Sequence, residues 1–325
     1  MSSLNPTLSV VVIGRNEGER LRRCLESIRD MNPIRGQVEV IYVDSNSTDA
    51  SPALAATFGA TVIELNAARP SAALARNAGW RAAAAPWILF LDGDTILHPA
   101  FPRLALHNAG EASVAAVWGH RREIAPTANF FHRVLDLDWV YAPGLTPFCG
   151  GDALFRRAAL EQVDGFNETL IAGEEPELCT RLRARGFQIL HIDAPMTGHD
   201  LAITRWSQYW RRAARAGYAY AQMAWRTRGE QLPLWSVEAR GNVLRALVLL
   251  ALVAAIPFVP LPALAILAAL VARSAWRSRW KSSDNFSLLC YGAHSHLQQL
   301  PIFAGQVAFW WDLAQNRRRG LIEYK

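Results

Sequence analysis

A short apolar segment of this chain ends in two carboxylates: residues 87–91 read Trp-Ile-Leu-Phe-Leu, and Asp92-Gly93-Asp94 follow directly. A segment that is apolar at every position predicts a strand covered on both faces, as in the parallel sheets of α/β proteins. Such sheets bind ligands at the carboxyl ends of their strands. Two neighbouring carboxylates there indicate a site for Mg²⁺ or Mn²⁺. An Asp-Gly turn without a ligand is the competing interpretation.

Strands and helices alternate over the first hundred residues. Apolar segments predict strands at residues 8–13, 38–43, 61–65 and 87–91. Apolar residues at helical spacing predict helices at residues 17–30, 51–58 and 71–84. This alternation predicts an α/β fold with a mostly parallel sheet. After residue 100 the alternation of strands and helices becomes less regular. Further strands or helices are predicted at residues 114–118, 130–140, 149–155, 160–163, 174–185 and 187–192.

Charge and cysteine usage narrow the class of partner and the compartment. The formal net charge of the 325 residues is +6, which favours an anionic partner such as a nucleotide, a lipid phosphate or an acidic membrane surface. No nucleic-acid-binding motif is present, so nucleic acid is not an expected partner. The four cysteines are widely spaced, and no signal segment precedes the first strand. These features predict a reduced, cytoplasmic setting.

The last third of the chain is strongly apolar. Residues 246–272 contain no charged residue, but Pro257, Pro260 and Pro262 interrupt the segment. Each half is only about 17 Å long as a helix, which reaches roughly the middle of a bilayer. Arginines flank both ends, so both ends are expected on the cytoplasmic side. We predict a re-entrant hairpin or two interfacial helices. A single spanning helix and a hairpin buried in a soluble domain are the alternatives.

Tryptophans and arginines alternate elsewhere in the same region. They interleave over residues 205–226, and Trp310-Trp311 precedes an arginine run at residues 317–319. This mixture is typical of helices that lie on an anionic membrane, although a solvated face with buried tryptophans would also explain it. The sequence therefore predicts an α/β domain at residues 1–204, followed by a mainly helical, membrane-associated region at residues 205–325.

Polar motifs lie at the ends of several predicted strands. The chain reads Val-Ile-Gly-Arg-Asn-Glu at 12–17, Val-Asp-Ser-Asn-Ser-Thr-Asp at 43–49, Ala-Arg-Asn-Ala-Gly at 75–79, Leu-Asp-Gly-Asp at 91–94, Gly-Gly-Asp at 150–152 and Gly-Glu-Glu-Pro-Glu-Leu at 173–178. In this order the motifs resemble those of the family 2 glycosyltransferases, over residues 8–200. The resemblance implies a GT-A fold, which is Rossmann-like with a mostly parallel sheet. It also implies a nucleotide-diphosphate sugar donor, a divalent metal (Mn²⁺ or Mg²⁺) and inversion at the anomeric carbon.

The resemblance implies a nucleotide site at the first two strands. Glu17, with Arg15 and Asn16 beside it, matches the family's first-strand group at the nucleoside. Asp44 matches the carboxylate that hydrogen-bonds the base or ribose. Arg76 matches a basic residue near the diphosphate, where a guanidinium can bind two oxygens at once. A surface charge for Glu17 and a simple salt bridge for Arg76 are the alternatives.

The resemblance also implies the metal ligands. Asp94 matches the main ligand, and Asp92 matches a carboxylate directed toward the ribose and the metal. His199 follows the last predicted strand and is predicted as a third ligand. A structural role for this histidine is the alternative.

Two later motifs are assigned to the donor sugar and to the general base. Gly150 and Gly151 would let the backbone approach the sugar, and Asp152 would accept hydrogen bonds from its hydroxyls; a turn is the alternative. An inverting transfer needs a carboxylate to take the proton of the acceptor hydroxyl. The family usually has Glu-Asp here, whereas this chain has Glu174-Glu175. Glu175 is the predicted base and Glu174 the second choice, and the alternative is two acidic residues that merely begin a helix.

The predicted function is a metal-dependent inverting glycosyltransferase of polysaccharide or glycolipid biosynthesis at the cytoplasmic face of the membrane. Its predicted acceptor is a polyprenyl-type lipid-linked sugar, with Arg211, Arg212 and Arg215 at the acceptor diphosphate. A polyprenyl-phosphate sugar synthase would need no base, because its acceptor is a phosphate. A sugar nucleotidyltransferase would need a glycine-rich loop that residues 14–17 do not form. A non-catalytic nucleotide-binding scaffold is the remaining alternative.

Overall fold

The computed structural model describes residues 5–170, 172–229 and 233–317. The chain forms two compact units, the first of residues 1–124 and 141–200 and the second of residues 125–140 and 201–325. The predicted division at residue 204 differs from this one, because it leaves residues 125–140 in the first domain. These residues group with the second unit through a shared core of Phe131, Val134, Leu135, Leu201, Ile203 and Tyr209. The predicted arginine run lies outside the described residues beyond Arg317.

The first unit is built on the four predicted parallel strands. These are β1 (Leu8–Gly14), β2 (Val38–Asp44), β3 (Thr61–Glu64) and β4 (Trp87–Asp92). They lie in the order β3-β2-β1-β4 and are all parallel. The helices between them are α1 (Glu19–Arg29), α2 (Ser51–Thr57) and α3 (Ala72–Ala82). The carboxyl ends of β2, β1 and β4 are therefore neighbours at one edge of the sheet.

Beyond β4 the sheet becomes mixed. Its further strands in the described residues are β5 (Thr95–Leu97), β6 (Val114–Glu123), β7 (Gly144–Thr146), β8 (Ala153–Arg156) and β9 (Gln188–His199). β8 runs antiparallel to both β4 and β6, β6 and β9 are parallel, and β5 and β7 pair with β9 in antiparallel fashion. The α/β prediction is confirmed, and the parallel character is concentrated in the first half of the sheet.

The core of the first unit explains which elements the sequence predicts well. The middle residues of β1 and β4 are completely buried, as their unbroken apolar sequences predict. The same unit contains α4 (Phe101–Asn108), α6 (Arg157–Gln162) and α7 (Glu174–Ala184). β5, β7 and α4 were not predicted. β5 and β7 have three residues each, too few for a periodic pattern.

The second unit is helical in its described part. Its helices are α5 (Phe130–Asp138), α8 (Trp206–Arg226), α9 (Ser236–Ala255), α10 (Pro260–Arg277), α11 (Asn285–Leu297) and α12 (Gln299–Ala314). The predicted apolar hairpin corresponds to α9 and α10. Residues 256–259 form a non-helical turn between the two helices. Pro260 begins α10, where its missing N–H costs no helical hydrogen bond. Each helix is longer than its predicted arm, because polar residues extend it at the end away from the break.

The α9–α10 pair leaves most of its apolar surface exposed. Phe258, in the break between the helices, is 84% exposed, and Leu261 is 80% exposed. Few side chains of the pair are buried: Asn242, Ala246, Leu249 and Ala263. Among the helices described, none is both long enough and apolar enough to cross a bilayer. Residues 246–272 belong to two helices, α9 and α10, and do not form the single helix considered as an alternative.

A buried polar network joins α5, α8 and α11. His294 is completely buried; its Nδ1 lies 2.8 Å from the Tyr209 hydroxyl and its Nε2 lies 3.2 Å from Asp138. The Tyr291 hydroxyl donates to the same carboxylate at 3.0 Å. Burial alone would raise the pKa of Asp138, but the charge and hydrogen bond of His294, helped by the Lys281 ammonium, lower it. Because the buried groups are paired, the network stabilises one arrangement of these helices.

Helices α8 and α12 pack with their backbones in close contact. A Cβ atom at Gly217 of α8 would overlap the carbonyl of Ile302, and one at Gly305 of α12 would overlap the carbonyl of Ala214. Any side chain at either position must therefore push the two helices apart.

We expect Gly217→Ala to lower the free energy of unfolding by about 1–3 kcal/mol, because backbone atoms cannot yield as a side chain can. Urea unfolding measures this change. Gly241→Ala in α9 is the matched control, because the atoms nearest to the new Cβ belong to the flexible guanidinium of Arg245. The control should be neutral or gain about 0.5–1 kcal/mol from the helix propensity of alanine. Equal destabilisation by both variants would contradict the close contact.

Candidate active site

Strand ends that carry polar side chains meet at the carboxyl edge of the sheet. The register pairs Gly14 of β1 with Asp44 of β2, and Ile13 of β1 with Asp92 of β4. The motifs at residues 14–17, 44–49 and 92–94 are therefore adjacent, as the sequence predicts for parallel strands. A Cβ atom at Gly93 would press on the Ile13 carbonyl and on the Glu17 side chain, so glycine allows this close approach.

Three potential metal ligands converge beside β4. One ligand atom from each of Asp92, Asp94 and His199 lies within 4.8 Å of the others. His199 Nε2 is 3.4 Å from an oxygen of Asp94, and both side chains are almost fully buried. The antiparallel pairing of β5 with β9 places His199 opposite Thr95, next to Asp94. Two carboxylates and an imidazole form a donor set that fits Mn²⁺ or Mg²⁺.

One arginine connects this metal-ligand cluster to the predicted base. Arg76 of α3 is 2% exposed. Its Nη2 lies 2.9 Å from Asp92, while its Nη1 lies 2.9 Å from Glu175 and 3.1 Å from Glu174. Burial lowers the pKa of Arg76, but the surrounding carboxylates raise it by more, so the guanidinium stays charged. Arg76 therefore forms a buried ion-pair cluster with three carboxylates, whereas the alternative considered from the sequence was a single salt bridge.

Glu175 lies at the start of α7, and its carboxyl group has a raised pKa. Gly173 precedes the helix in a left-handed conformation, with φ of 85°, which glycine adopts without strain. Burial and the neighbouring Glu174 raise the pKa of Glu175 to about 7, against the opposing effect of Arg76. A carboxylate with a pKa near neutral pH is well suited to accept a proton.

Asp152 is completely buried and holds the end of β4 in place. It accepts a hydrogen bond from the Asp92 amide at 3.0 Å and one from the Thr197 hydroxyl at 2.8 Å. Arg121 of β6 lies 3.6 Å from it and 3.5 Å from Asp92. Burial raises the pKa of Asp152, although Arg121 opposes this. These two hydrogen bonds give Asp152 a positioning role at the end of β4. Its predicted contact with sugar hydroxyls stays a prediction.

Arg121 is the functional residue that sequence reasoning missed. The apolar signal predicts that its strand ends at residue 118, but β6 continues to Glu123 because it pairs with β9 through register shifts. The pair Arg121-Arg122 was the available signal, since basic residues that continue an apolar strand toward the interior need acidic partners.

Hydrogen bonds join the loop after β1 to the loop after β2, at the predicted nucleoside site. Asp44 accepts hydrogen bonds from the Tyr42 hydroxyl at 2.9 Å and from the Ser47 amide at 2.7 Å. Asn16, which adopts a positive φ of 55°, accepts from the Thr48 amide at 2.7 Å. These hydrogen bonds hold the two loops at a fixed separation. Asp44 itself is buried, so its predicted contact with a nucleoside requires access through these loops.

The Glu17 side chain lies at this edge and is only 13% exposed. Glu17 forms an ion pair with Arg20 at 2.8 Å, one helical turn away. Arg15 and Asn16 are exposed. Their predicted roles at the nucleoside stay predictions.

Two family profiles match the chain. The profile described as glycosyl transferase family 2 matches residues 9–164. The profile described as glycosyl transferase family group 2 matches residues 87–276, which is more than half of the chain. This chain belongs to glycosyl transferase family group 2. The predicted enzyme class is thereby confirmed.

Curated relatives of this glycosyltransferase match part of the chain. The pre-mycofactocin glycosyltransferase of Mycobacterium tuberculosis is 27% identical over 208 residues, which are 59% of this chain and 42% of that protein. The succinoglycan biosynthesis protein ExoO of Rhizobium meliloti is 34% identical over 156 residues, which are 46% of this chain and 44% of that protein. The chain therefore spans less than half the length of either relative.

A solved structure shares the fold over nearly the whole chain. The mannosyltransferase PcManGT of Pyrobaculum calidifontis, solved in complex with GDP-Man and Mn²⁺, superposes with a TM-score of 0.70. It is 22% identical in sequence, and the alignment covers 95% of this chain and 88% of that one. At this identity the likeness supports the fold prediction.

The two predicted donor-loop glycines of the glycosyltransferase differ in their surroundings. A Cβ atom at Gly151 would overlap Arg76 Nη2 and approach Glu175 and Asp92, whereas one at Gly150 would meet nothing within 4 Å. Gly151 therefore has a structural reason to be glycine, because it packs on the buried guanidinium. The predicted approach of a sugar to either residue stays a prediction.

We expect Gly151→Ala to lower the free energy of unfolding by about 1–3 kcal/mol, because Arg76 is held by three carboxylates and cannot move aside freely. Chemical denaturation monitored by circular dichroism measures the loss. Gly150→Ala is the control and should stay within about 0.5 kcal/mol of the parent protein. If the two substitutions cost the same, the packing of Gly151 on Arg76 is not what limits this position.

Proposed function

We propose that this protein transfers a sugar from a nucleotide-diphosphate sugar to a lipid-linked acceptor, with inversion at the anomeric carbon and with a bound divalent cation. The observation that carries this proposal is the buried Arg76, whose guanidinium contacts Asp92 on one side and Glu175 on the other. A metal-ligand cluster and a carboxyl group with a pKa of about 7 thereby share one site.

Each group of the site has a distinct role in this proposal. Asp92, Asp94 and His199 would hold the cation, which when bound supplies positive charge to a leaving diphosphate. Glu175 takes the proton of the acceptor hydroxyl at its carboxylate, so that the oxygen can attack opposite the leaving group. Arg76 positions Glu175 and restrains its pKa, and Asp152 with Arg121 positions Asp92.

Surface chemistry supports a membrane-bound acceptor. The α9–α10 pair exposes large apolar side chains at its turn, and Trp276 and Trp280 near the end of α10 are more than half exposed. Arg273 and Arg277 lie among them. Exposed apolar residues flanked by tryptophan and arginine favour the interface of an anionic membrane. We therefore propose a location at the cytoplasmic membrane face, with the acceptor a polyprenyl-type lipid.

The first test is sugar transfer by the purified protein from UDP-, GDP- and dTDP-sugars in the presence of Mn²⁺ and a membrane lipid extract. We expect turnover of one donor that EDTA abolishes and that Asp94→Ala removes. Glu175→Gln should reduce turnover by about 10²–10⁴-fold, because it removes the base. Glu177→Gln is the matched control, since Glu177 is on the same helix but pairs with Arg181.

The outcomes separate the remaining alternatives. Turnover that survives Glu175→Gln and Glu174→Gln together would contradict a base and favour a phosphate acceptor. Equal turnover with soluble sugars and with the lipid extract would contradict a lipid-linked acceptor. Release of pyrophosphate from a nucleoside triphosphate and a sugar phosphate would replace the transferase proposal with a nucleotidyltransferase.

The turnover rate should also depend on pH. The pKa of Glu175 is raised to about 7, so the group is protonated, and inactive as a base, at lower pH. We expect kcat to rise with pH through about 7 and to fall about tenfold for each unit below that. Glu174→Gln removes a charge that raises this pKa, so it should move the acid limb of the profile to lower pH. An acid limb that stays in place would contradict the coupling of the two carboxyl groups.

A further inference from the structure

A cavity of about 270 Å³ opens in the second unit. It lies between the end of α8, the first turns of α9 and the middle of α12. Its volume is near the lower end of small-molecule sites, which span about 300–1,000 Å³. The cavity can therefore hold a head group or part of a chain, but not a whole lipid.

The lining of the cavity combines positive charge with apolar walls. Arg228 and Arg240 line it together with Trp225 and Trp310. The Arg228 guanidinium lies 3.4 Å from the ring centre of Trp225, which holds it in one orientation. Within the described residues, no acidic side chain lines the cavity and no carboxylate forms an ion pair with either arginine. Two such guanidinium groups favour an anionic ligand, above all a phosphate.

A buried amide in the same cavity adds a second requirement. Gln306 of α12 lines the cavity and is only 2% exposed. Its Nε2 donates to the Ala239 carbonyl at 3.0 Å, while its Oε1 has no hydrogen-bond partner within the described part of the chain. A buried acceptor without a partner is costly. It therefore favours a ligand that brings a donor, and a hydroxyl group is the simplest one.

Apolar surface continues from the cavity along α9. Leu244 and Leu247 are one helical turn beyond the lining residues Arg240 and Val243, at i+4 spacing, so they lie on the same face. Both leucines are about half exposed or more. A hydrocarbon chain that leaves the cavity in this direction would cover them and gain hydrophobic free energy.

We propose that this cavity binds the head group of an anionic glycerophospholipid whose head group carries free hydroxyls, such as phosphatidylglycerol. The phosphate binds Arg228 and Arg240, a head-group hydroxyl donates to Gln306 Oε1, and an acyl chain lies along Leu244 and Leu247. The site would make membrane attachment selective for lipid type. It does not depend on which acceptor the active site uses.

The test is isothermal titration calorimetry of the full chain with dihexanoyl-phosphatidylglycerol below its micellar concentration. We expect saturable binding that is on the order of tenfold weaker for each arginine removed, in Arg228→Gln and Arg240→Gln, because each loses a charge-assisted hydrogen bond. Arg22→Gln with Arg29→Gln is the matched control, since it removes the same charge from exposed positions of α1 in the first unit. Ala224→Phe should also weaken binding by filling the cavity without changing its charge.

Three further measurements test the lipid selectivity of the cavity and the folding of the variants. Dihexanoyl-phosphatidylcholine should bind at least about tenfold more weakly, and inorganic phosphate should compete poorly, because it lacks the hydroxyl and the chain. Thermal unfolding of each variant checks that it folds. The proposal is overturned if phosphatidylglycerol does not bind, if phosphatidylcholine binds as well, if phosphate alone competes equally, or if the control pair loses as much affinity as the cavity pair.

Discussion

The arrangement of the active site depends on the burial of one guanidinium group. A buried arginine is tolerated only when its charge is matched, and removing a partner leaves an uncompensated charge. Arg76 has Asp92, Glu174 and Glu175 as partners, contributed by β4 and α7. These elements are far apart in the chain, so the ion pairs fix where α7 begins relative to the strand end. The requirement for glycine at position 151 follows from the same packing.

The sequence contains enough information to predict the framework of this site. Completely apolar strands predict parallel pairing, and parallel pairing predicts that Gly14, Asp44 and Asp92 are neighbours. The burial of Asp152 could not be predicted, because it depends on Thr197, Arg121 and the Asp92 amide, which come from three other places in the chain. A carboxylate in a Gly-Gly-Asp turn has the same local sequence whether it faces a ligand or the protein interior.

In the C-terminal region, too, the features set by local sequence were predictable and those set by distant contacts were not. Proline placement predicted two helices in place of one, because proline at residues 257 and 260 interrupts a helix locally. The pairing of Asp138 with His294 spans 156 residues, and no local pattern indicates it. For the same reason no local pattern indicates that residues 125–140 group with residues 201–325, because their aromatic side chains would suit either unit. The cavity beside α12 likewise depends on three helices that no local signal brings together.

The shared guanidinium also makes the two ends of the active site thermodynamically linked. The negative charge of Asp92 contributes to the raised pKa of Glu175. Neutralising that charge, by protonation or by a coordinated cation, therefore favours the ionised form of Glu175. By reciprocity, ionisation of Glu175 favours whatever neutralises Asp92. Proton release at Glu175 and charge compensation at Asp92 are consequently one coupled equilibrium.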